Sequence, residues 1–389
     1  MINFTQYIPT VIHFGKGQVQ AIEAELKKRA KKALIVTGGG SVKRNGIFDA
    51  VIREVKKANI SYVELSGIKP NPRLKSVYEG IDLCRRESVD FILAVGGGSV
   101  IDAAKAIAAG VKYEGDVWDF FVKGISPKDA LPIGTVLTLS ATGSEMNGNA
   151  VITKEDTKRK LAVGSPFLKP AFSILDPEFT YTVNKYHTAA GVVDIMVHVF
   201  EQYFSKTTAS DVQDRLAEGL MKVCLKYGPI ICEKPRNYDA RANIMWAGTL
   251  ALNGVVGGGK QEDWATHAIE HELSAFYDIS HGAGLAIVSP NWMKNVLSKE
   301  TIGRFIDYGV NVWGIAKGKD NMAIANESID KTREFFKSLG MPSSLKEINI
   351  SDEYFEKMAK GAIRDWDQVG YFKKLSEKDI VDILKQSSS

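Results

Sequence analysis

The sequence predicts two domains: an α/β domain on an open parallel sheet, then an all-α domain. Three observations carry this reading. The first half alternates short β-branched runs with amphipathic stretches. Glycine triplets end two of those runs, and strand-like runs nearly vanish after about Pro177. The chain has 389 residues, enough for two ordinary domains.

Each element follows from its residues. Ala33–Thr37 reads as a buried strand ending at Gly38-Gly39-Gly40, with a helical stretch through Ile47, Val51 and Val55. Ser61–Leu65 is the next strand, followed by a helix from about Pro72 to Cys84. Phe91–Val95 is a strand ending at Gly96-Gly97-Gly98, where Ser99 opens a helix through Ile101, Ala104 and Ala108. Ile133–Leu137 is one more strand. This β-α-β-α-β order predicts a parallel sheet with helices on both faces, Rossmann-like in its alternation. From Lys185 the apolar period is 3.6, with breaks near Pro229, Pro235, Gly257-Gly258-Gly259, Gly282 and Pro342. The expected domains are 1–180 and 181–389. Ligands of such an architecture are expected beyond the carboxyl ends of the strands, where the domains face each other.

Composition excludes several function classes. The net charge of +4 arises from 50 basic and 46 acidic residues dispersed along the chain. That balance suggests neither nucleic acid nor an anionic membrane as partner. Cys84, Cys224 and Cys232 form no CxxC, which argues against a disulfide framework or a zinc ribbon and fits a reducing compartment. Met1–Gln6 lacks the charged start and apolar stretch of a signal peptide, and no apolar run approaches the roughly 20 residues of a membrane span. The expected location is the cytoplasm.

Two polar stretches at strand ends point to a nucleotide. At Gly97, Gly98 and Ser99 the glycines let backbone approach a pyrophosphate, and the free N–H groups of the following helix would hold its charge. Ser99 with Asp102 reads as a capping box. Thr138-Leu139-Ser140-Ala141-Thr142-Gly143-Ser144-Glu145 follows the strand at 133–137, on the same sheet edge. Its hydroxyls suit phosphate, ribose or carboxamide.

The six histidines are unevenly placed. His198 follows Asp194 by four residues, so the two share a helix face and can grip one ion. His267, His271 and His281 fall within fifteen residues, and spacing alone pairs His267 with His271. Imidazole with carboxylate suits Zn, Fe(II) or a similar first-row ion. His13 and His187 read as ordinary packed or surface residues.

At these residues the chain resembles the iron-dependent (group III) alcohol dehydrogenases, in particular their butanol dehydrogenase and NADPH-dependent aldehyde reductase branches. The similar stretches include Gly38–Lys43, Ala94–Asp102, Leu137–Glu145, Gly191–Glu201, Asp263–His271 and His281–Pro290, and they run up to about Pro342. The resemblance implies a dinucleotide-binding α/β domain, a helical metal-binding domain and an active site in the cleft, an architecture shared with dehydroquinate synthase. It implies Asp194, His198, His267 and His281 as metal ligands, with His271 a neighbour of the metal near substrate or nicotinamide. Implied cofactor contacts are Gly97, Gly98, Ser99, Asp102, Thr138, Thr142 and Ser144, with Lys160 near the ribose. Asn71 and Asn149 would lie near the reacting centre. Trp264, Phe276 and Trp246 are candidate walls of an apolar pocket. The expected partners are a small alcohol or aldehyde substrate and, as the resemblance implies, a second copy of the chain in a homodimer.

Members of that family that prefer NAD often carry an acidic side chain after the strand ending Val36-Thr37. Here stand Gly38, Gly39, Gly40, Ser41, Val42, Lys43 and Arg44. A carboxylate would repel a 2′-phosphate, whereas this turn would attract one. NADP(H) is therefore expected over NAD(H), with Fe(II), Zn or another divalent first-row ion. The metal would polarise the carbonyl and the nicotinamide would deliver hydride, with His271 on the proton path. A dehydroquinate synthase-like lyase would need cations around its anionic substrate, but Trp264-Ala265-Thr266-His267 and Gly282-Ala283-Gly284-Leu285 are largely uncharged. A non-catalytic metal- or nucleotide-binding regulator would carry a broken ligand set, and the set here is complete.

Overall fold

The computed structural model describes residues 1–318, 320–364 and 367–389. They divide into two compact units. A sheet unit comprises Tyr7–Val183 and Pro235–Thr249; a helical unit comprises Met1–Gln6, Asn184–Lys234 and Leu250–Ser389.

The strands are β1 (Val11–Phe14), β2 (Lys32–Gly38), β3 (Ser61–Ile68), β4 (Phe91–Gly96), β5 (Ile133–Leu137), β6 (Asn149–Lys154), β7 (Arg159–Gly164) and β8 (Phe172–Leu175). Helices of the first half are α1 (Ala21–Lys27), α2 (Ser41–Arg44), α3 (Ile47–Lys57), α4 (Leu74–Arg86), α5 (Gly98–Val111) and α6 (Asp119–Val122). Then follow α7 (Lys185–Tyr203), α8 (Asp211–Glu233), α9 (Tyr238–Ala251), α10 (Ala265–Tyr277), α11 (His281–Val296), α12 (Ile302–Asn311), α13 (Asn321–Ser338), α14 (Phe355–Ile363) and α15 (Glu377–Gln386).

Six strands form one sheet in the order β1-β8-β5-β4-β2-β3, with every neighbouring pair parallel. Strands buried on both faces read as continuous apolar runs, as Phe91–Val95 does. Alternate side chains serve opposite faces. Leu34, Val36, Ile92 and Ala94 pack in a cluster with Ile101, Ala104 and Ile107 of α5 and with Val77 and Ile81 of α4. Ile35, Leu93 and Val95 pack in a second cluster with Val51 and Val55 of α3 and with Ile22 and Leu26 of α1.

Three features differ from the sequence reading. The sheet gains β1 and β8, while β6 and β7 form a separate antiparallel hairpin. Four-residue runs such as Phe172–Leu175 are too short to assign by periodicity. Pro229 does not break a helix, whereas the break near Gly282 is present between Tyr277 and His281. Pro229 lies inside α8, four residues before its end, and Gly282 is the second residue of α11. Finally, Pro235–Thr249 packs with the sheet unit. Met245 joins a sheet-side core, Trp246 meets Phe14 edge-on at 5.8 Å, and Thr249 Oγ1 donates to buried Glu145.

The helical unit is built around α7. Asn184 caps it by accepting from His187 N at 2.8 Å, and its residues from Thr188 to Tyr203 are buried. A helix apolar all round belongs in a core, so a polar residue on it needs a partner.

Candidate metal centre and cofactor loops

Asp194, His198 and Glu201 occupy positions i, i+4 and i+7 of α7, on one helix face. His267 lies in the first turn of α10, and His281 is the first residue of α11. At Gly282 any Cβ would fall 2.1 Å from the Ala190 carbonyl oxygen, so only glycine lets α11 come this close to α7.

Asp194 Oδ1 faces three imidazoles: His198 Nδ1 at 3.6 Å, His281 Nε2 at 3.5 Å and His267 Nε2 at 4.0 Å. Asp194 Oδ1, His198 Nδ1 and His267 Nε2 are buried and have no hydrogen-bond partner among the described residues. Orphaned buried polar atoms are costly, and here they converge. Two ligand atoms about 2.1 Å from a common tetrahedral ion stand about 3.4 Å apart, close to these spacings. Asp194, His267 and His281 each offer an atom within 4.8 Å of the others. His198 stacks on His267, with ring centroids 4.7 Å apart. Burial pushes the His198 imidazole down to about 3, Asp194 opposing and His267 and His281 adding to it. A neutral imidazole is what a metal ligand requires. The donor set therefore fits a first-row divalent ion.

Carboxylates hold the far side of two rings. Glu201 Oε1 accepts from His267 Nδ1 at 2.8 Å and from His267 N at 3.0 Å, and also from the Thr266 hydroxyl. Its Oε2 accepts from Trp264 N at 2.8 Å. Glu270 accepts from His281 Nδ1 and from the Ser274 hydroxyl. Asp263 accepts from Ala265 N at 3.1 Å and from Tyr371 N and Phe372 N, tying the start of α10 to the chain near its C-terminus. Burial and the Glu201 charge push Asp263 up to about 7.

His271 lies 6.4 Å from His267 and 5.6 Å from His281 between ring centroids. It groups with Glu270 and His281, whereas His267 groups with Asp194 and His281. Trp264 adopts a left-handed φ of 66°, rare for a bulky residue and held by the bond to Glu201. Its ring stands 5.1 Å from His267 and 6.2 Å from His198. Of the other aromatic candidates, Trp246 packs on Phe14 and Phe276 on Tyr354.

In the sheet unit the two polar stretches meet. Helix α5 starts at Gly98, with Gly97 as N-cap and no side-chain cap bond. The capping box expected of Ser99 and Asp102 is therefore absent. Asp102 instead turns inward, where Ser144 Oγ donates to it at 2.6 Å and Val151 N at 3.0 Å. A Cβ on Gly98 would lie 2.4 Å from Thr142 Oγ1, so glycine lets the helix start pack on the polar loop. Thr142 Oγ1 accepts from Ser144 N at 3.2 Å, while Thr138 N donates to Gly96 O at 3.0 Å. Ser99, Thr138 and Thr142 remain partly exposed, as ligand contacts require.

Sequence reasoning missed the centre of this network. Lys105 is fully buried, and its Nζ donates to Ser144 Oγ at 2.8 Å, Asn147 O at 2.9 Å, Asn147 Oδ1 at 3.1 Å and Asn149 O at 2.9 Å. Burial pushes it down to about 8, with Asp102 and Glu145 pulling upward. Burial also raises Asp102, and Lys105 and Ser144 oppose that. Four oxygens around one ammonium favour its charged form. Asn149 is exposed at the start of β6. Lys160 is buried in β7, opposite Thr153. Asn71 is buried with a left-handed φ of 50°, its carbonyl accepting from Arg73 Nη1 at 2.9 Å.

Gly38 ends β2, with Val100 of α5 3.5 Å from where its Cβ would stand. Gly39, Ser41, Lys43 and Arg44 are exposed. Lys43 is not a lone cation: it pairs with Glu64, lies 3.5 Å from Ser66 Oγ and sits over the Phe48 ring.

Residues 9–177 match the family model described as iron-containing alcohol dehydrogenase, and residues 188–388 match the C-terminal model of the same family. The chain is 50% identical to NADH-dependent butanol dehydrogenase A of Clostridium acetobutylicum over 388 residues, all of both chains. It is 42% identical to the NADPH-dependent aldehyde reductase YqhD of Escherichia coli, over 90% of each chain. The crystal structure of an NADH-dependent butanol dehydrogenase A from Thermotoga maritima superposes with a TM-score of 0.96 at 41% identity, covering 100% of this chain and 99% of that one.

Proposed function

We infer that this chain, which belongs to the iron-containing alcohol dehydrogenase family and is an NAD(P)-dependent alcohol dehydrogenase, interconverts small aliphatic aldehydes and alcohols such as butanal and butanol. The observation that carries the reading is the convergence of Asp194 with His198, His267 and His281 around unpartnered buried atoms. A divalent ion held there, Fe(II) or Zn(II), supplies Lewis acidity at the substrate oxygen, and a bound nicotinamide supplies hydride.

The chain's own residues supply position and exclude charge. Trp264 walls the imidazoles with an apolar surface. The carboxylates bonded to this cluster, Glu201, Glu262 and Glu270, would repel the anionic substrate of a dehydroquinate synthase-like lyase. His271 is the proposed proton-transfer group at the substrate oxygen, a role supported by its ring lying 5.6 Å from that of His281. Gly97, Gly98 and Ser99 offer the start of α5 to the pyrophosphate, with Thr138 and Thr142 as hydroxyl contacts.

NADP(H) is the proposed preference, supported by the exposed Ser41, Lys43 and Arg44 after Gly38. One observation favours NADH instead: Glu64 already neutralises Lys43. No described helix is long and apolar enough to cross a membrane. A cytoplasmic homodimer is proposed. The dimer is supported by β1, an edge strand of the sheet, which carries exposed Val11 and Phe14.

The test is oxidation of NADPH or NADH by butanal, followed at 340 nm in metal-loaded and chelated protein. Chelation should abolish turnover, and Fe(II) or Zn(II) should restore it. Full activity in protein shown by elemental analysis to be metal-free would overturn the reading.

A further inference from the structure

We propose that Glu201 and Glu270 are positioning residues for the metal ligands. Each holds the Nδ1–H of one imidazole and so fixes the tautomer and plane in which His267 and His281 turn Nε2 toward Asp194. The proposal rests on the reading of Asp194, His198, His267 and His281 as the ligand set.

An ionised carboxylate only accepts, and a neutral imidazole has one N–H. Glu201 against His267 Nδ1 and Glu270 against His281 Nδ1 therefore place that proton on Nδ1 and leave Nε2 basic. Both Nε2 atoms face the same oxygen, Asp194 Oδ1. Both carboxylates are almost completely buried, so water does not compete for the bond.

Placement on the helices adds a second argument. Glu201 sits on α7 and bonds His267 on α10; Glu270 sits on α10 and bonds His281 on α11. The three helices that carry the ligands are thus tied in series by the same bonds that orient the rings. Such partners of a ligating imidazole typically change metal affinity by about 10–100-fold when removed.

Glu201 also accepts from Trp264 N, His267 N and the Thr266 hydroxyl, so its removal would release the start of α10 as well. Glu270 is the cleaner site. In Glu270→Gln the amide oxygen can stay on His281 Nδ1 while the amide nitrogen donates to Ser274 Oγ, a hydroxyl able to accept. Glu270→Ala removes the acceptor altogether.

The experiment measures Zn(II) affinity of wild type, Glu270→Ala and Glu270→Gln by competition with a chromogenic chelator, beside the melting temperature of each metal-free protein. Glu270→Ala should bind Zn(II) about 10–100-fold more weakly, and Glu270→Gln should recover most of that loss. Wild-type affinity in a folded Glu270→Ala would overturn the proposal while leaving the ligand reading intact. No Zn(II) or Fe(II) binding by wild type would overturn both. A measurement on the metal-free wild type needs no variant to fold: long-range nitrogen–proton correlation spectra of protein labelled at histidine nitrogen. His267 and His281 should both appear as the Nδ1–H tautomer. Nε2–H at either residue would overturn the proposal.

Discussion

The Asp194 cluster, the proposed metal site, and the α5 loop network are both buried and polar, yet they satisfy their atoms in opposite ways. Around Asp194 the buried oxygen and two imidazole nitrogens lack partners. Around Lys105 the ammonium, Ser144, Asp102 and Asn147 consume one another's bonding capacity. A site for a resident ion leaves its donors facing inward at one another. A site for an exchanging dinucleotide is finished internally and offers backbone N–H groups and outward hydroxyls. The deficit in the first region is what an ion would fill, while the second has its buried polar atoms bonded to one another without any ligand.

The largest expected effect sharpens this contrast inside the metal cluster. His267→Ala removes a nitrogen that faces Asp194 Oδ1 at 4.0 Å, one of the four proposed ligands, so metal content and turnover should collapse together. His271→Ala should leave the ion bound and slow turnover by roughly 10²–10⁴-fold, the typical cost of losing a proton-transfer group. Metal per chain, measured beside turnover for each purified variant, separates the two. Equal metal loss in both would make His271 a ligand and break the division drawn here.

The contrast also explains which parts were legible from sequence. Strands β2, β4 and β5 announce themselves because a parallel sheet covered on both faces demands apolar runs such as Leu34-Ile35-Val36; β3, an edge strand and only partly buried, shows through its β-formers Tyr62 and Val63. The short edge strand β1 and the hairpin β6–β7 have no such demand. Asp194 and His198 are visible as an i, i+4 pair. The pairing of His267 with His281 is not, because it depends on how α10 and α11 meet, and spacing alone favours His271. Glu201 carried a faint signal, three residues after His198 on the same face. Lys105 carried none, since a lysine on an alanine-rich helix ordinarily reads as solvent-facing.

A middle-sized effect tests the self-satisfied side. Lys105→Met would strand Asn147 O, Asn149 O and the Ser144–Asp102 pair without their cation. Breaking a buried ionic network by removing one partner costs about 3–5 kcal/mol. Chemical denaturation should show that loss, and cofactor KM should rise while metal content stays at wild type. In the metal-free state His267→Ala should cost less: Nε2 has no partner to lose, and Glu201, deprived of Nδ1, keeps the bonds from Trp264 N, the Thr266 hydroxyl and the backbone N–H of residue 267. If the two variants destabilise the metal-free protein equally, the proposed difference between the regions is wrong.

The smallest effects are expected at the turn after β2, where the groups proposed to set cofactor choice are exposed. Gly38→Asp meets only ordinary contacts at its Cβ, 3.5 Å from Ile68 O and Val100, so the fold should accept it. Its carboxylate should weaken NADPH binding by about 1–3 kcal/mol and spare NADH. Glu64→Gln works in the opposite direction by releasing Lys43. That pair is 45% and 27% exposed, and exposed ion pairs are worth only about 0.2–1 kcal/mol. The shift toward NADPH should therefore be a few-fold, read as the ratio of kcat/KM for the two cofactors at matched ionic strength. It should shrink as salt is raised, because the freed charge is screened. A shift that is absent at low salt would mean that Lys43 does not reach the 2′-phosphate. Discrimination would then rest on Ser41 and Arg44.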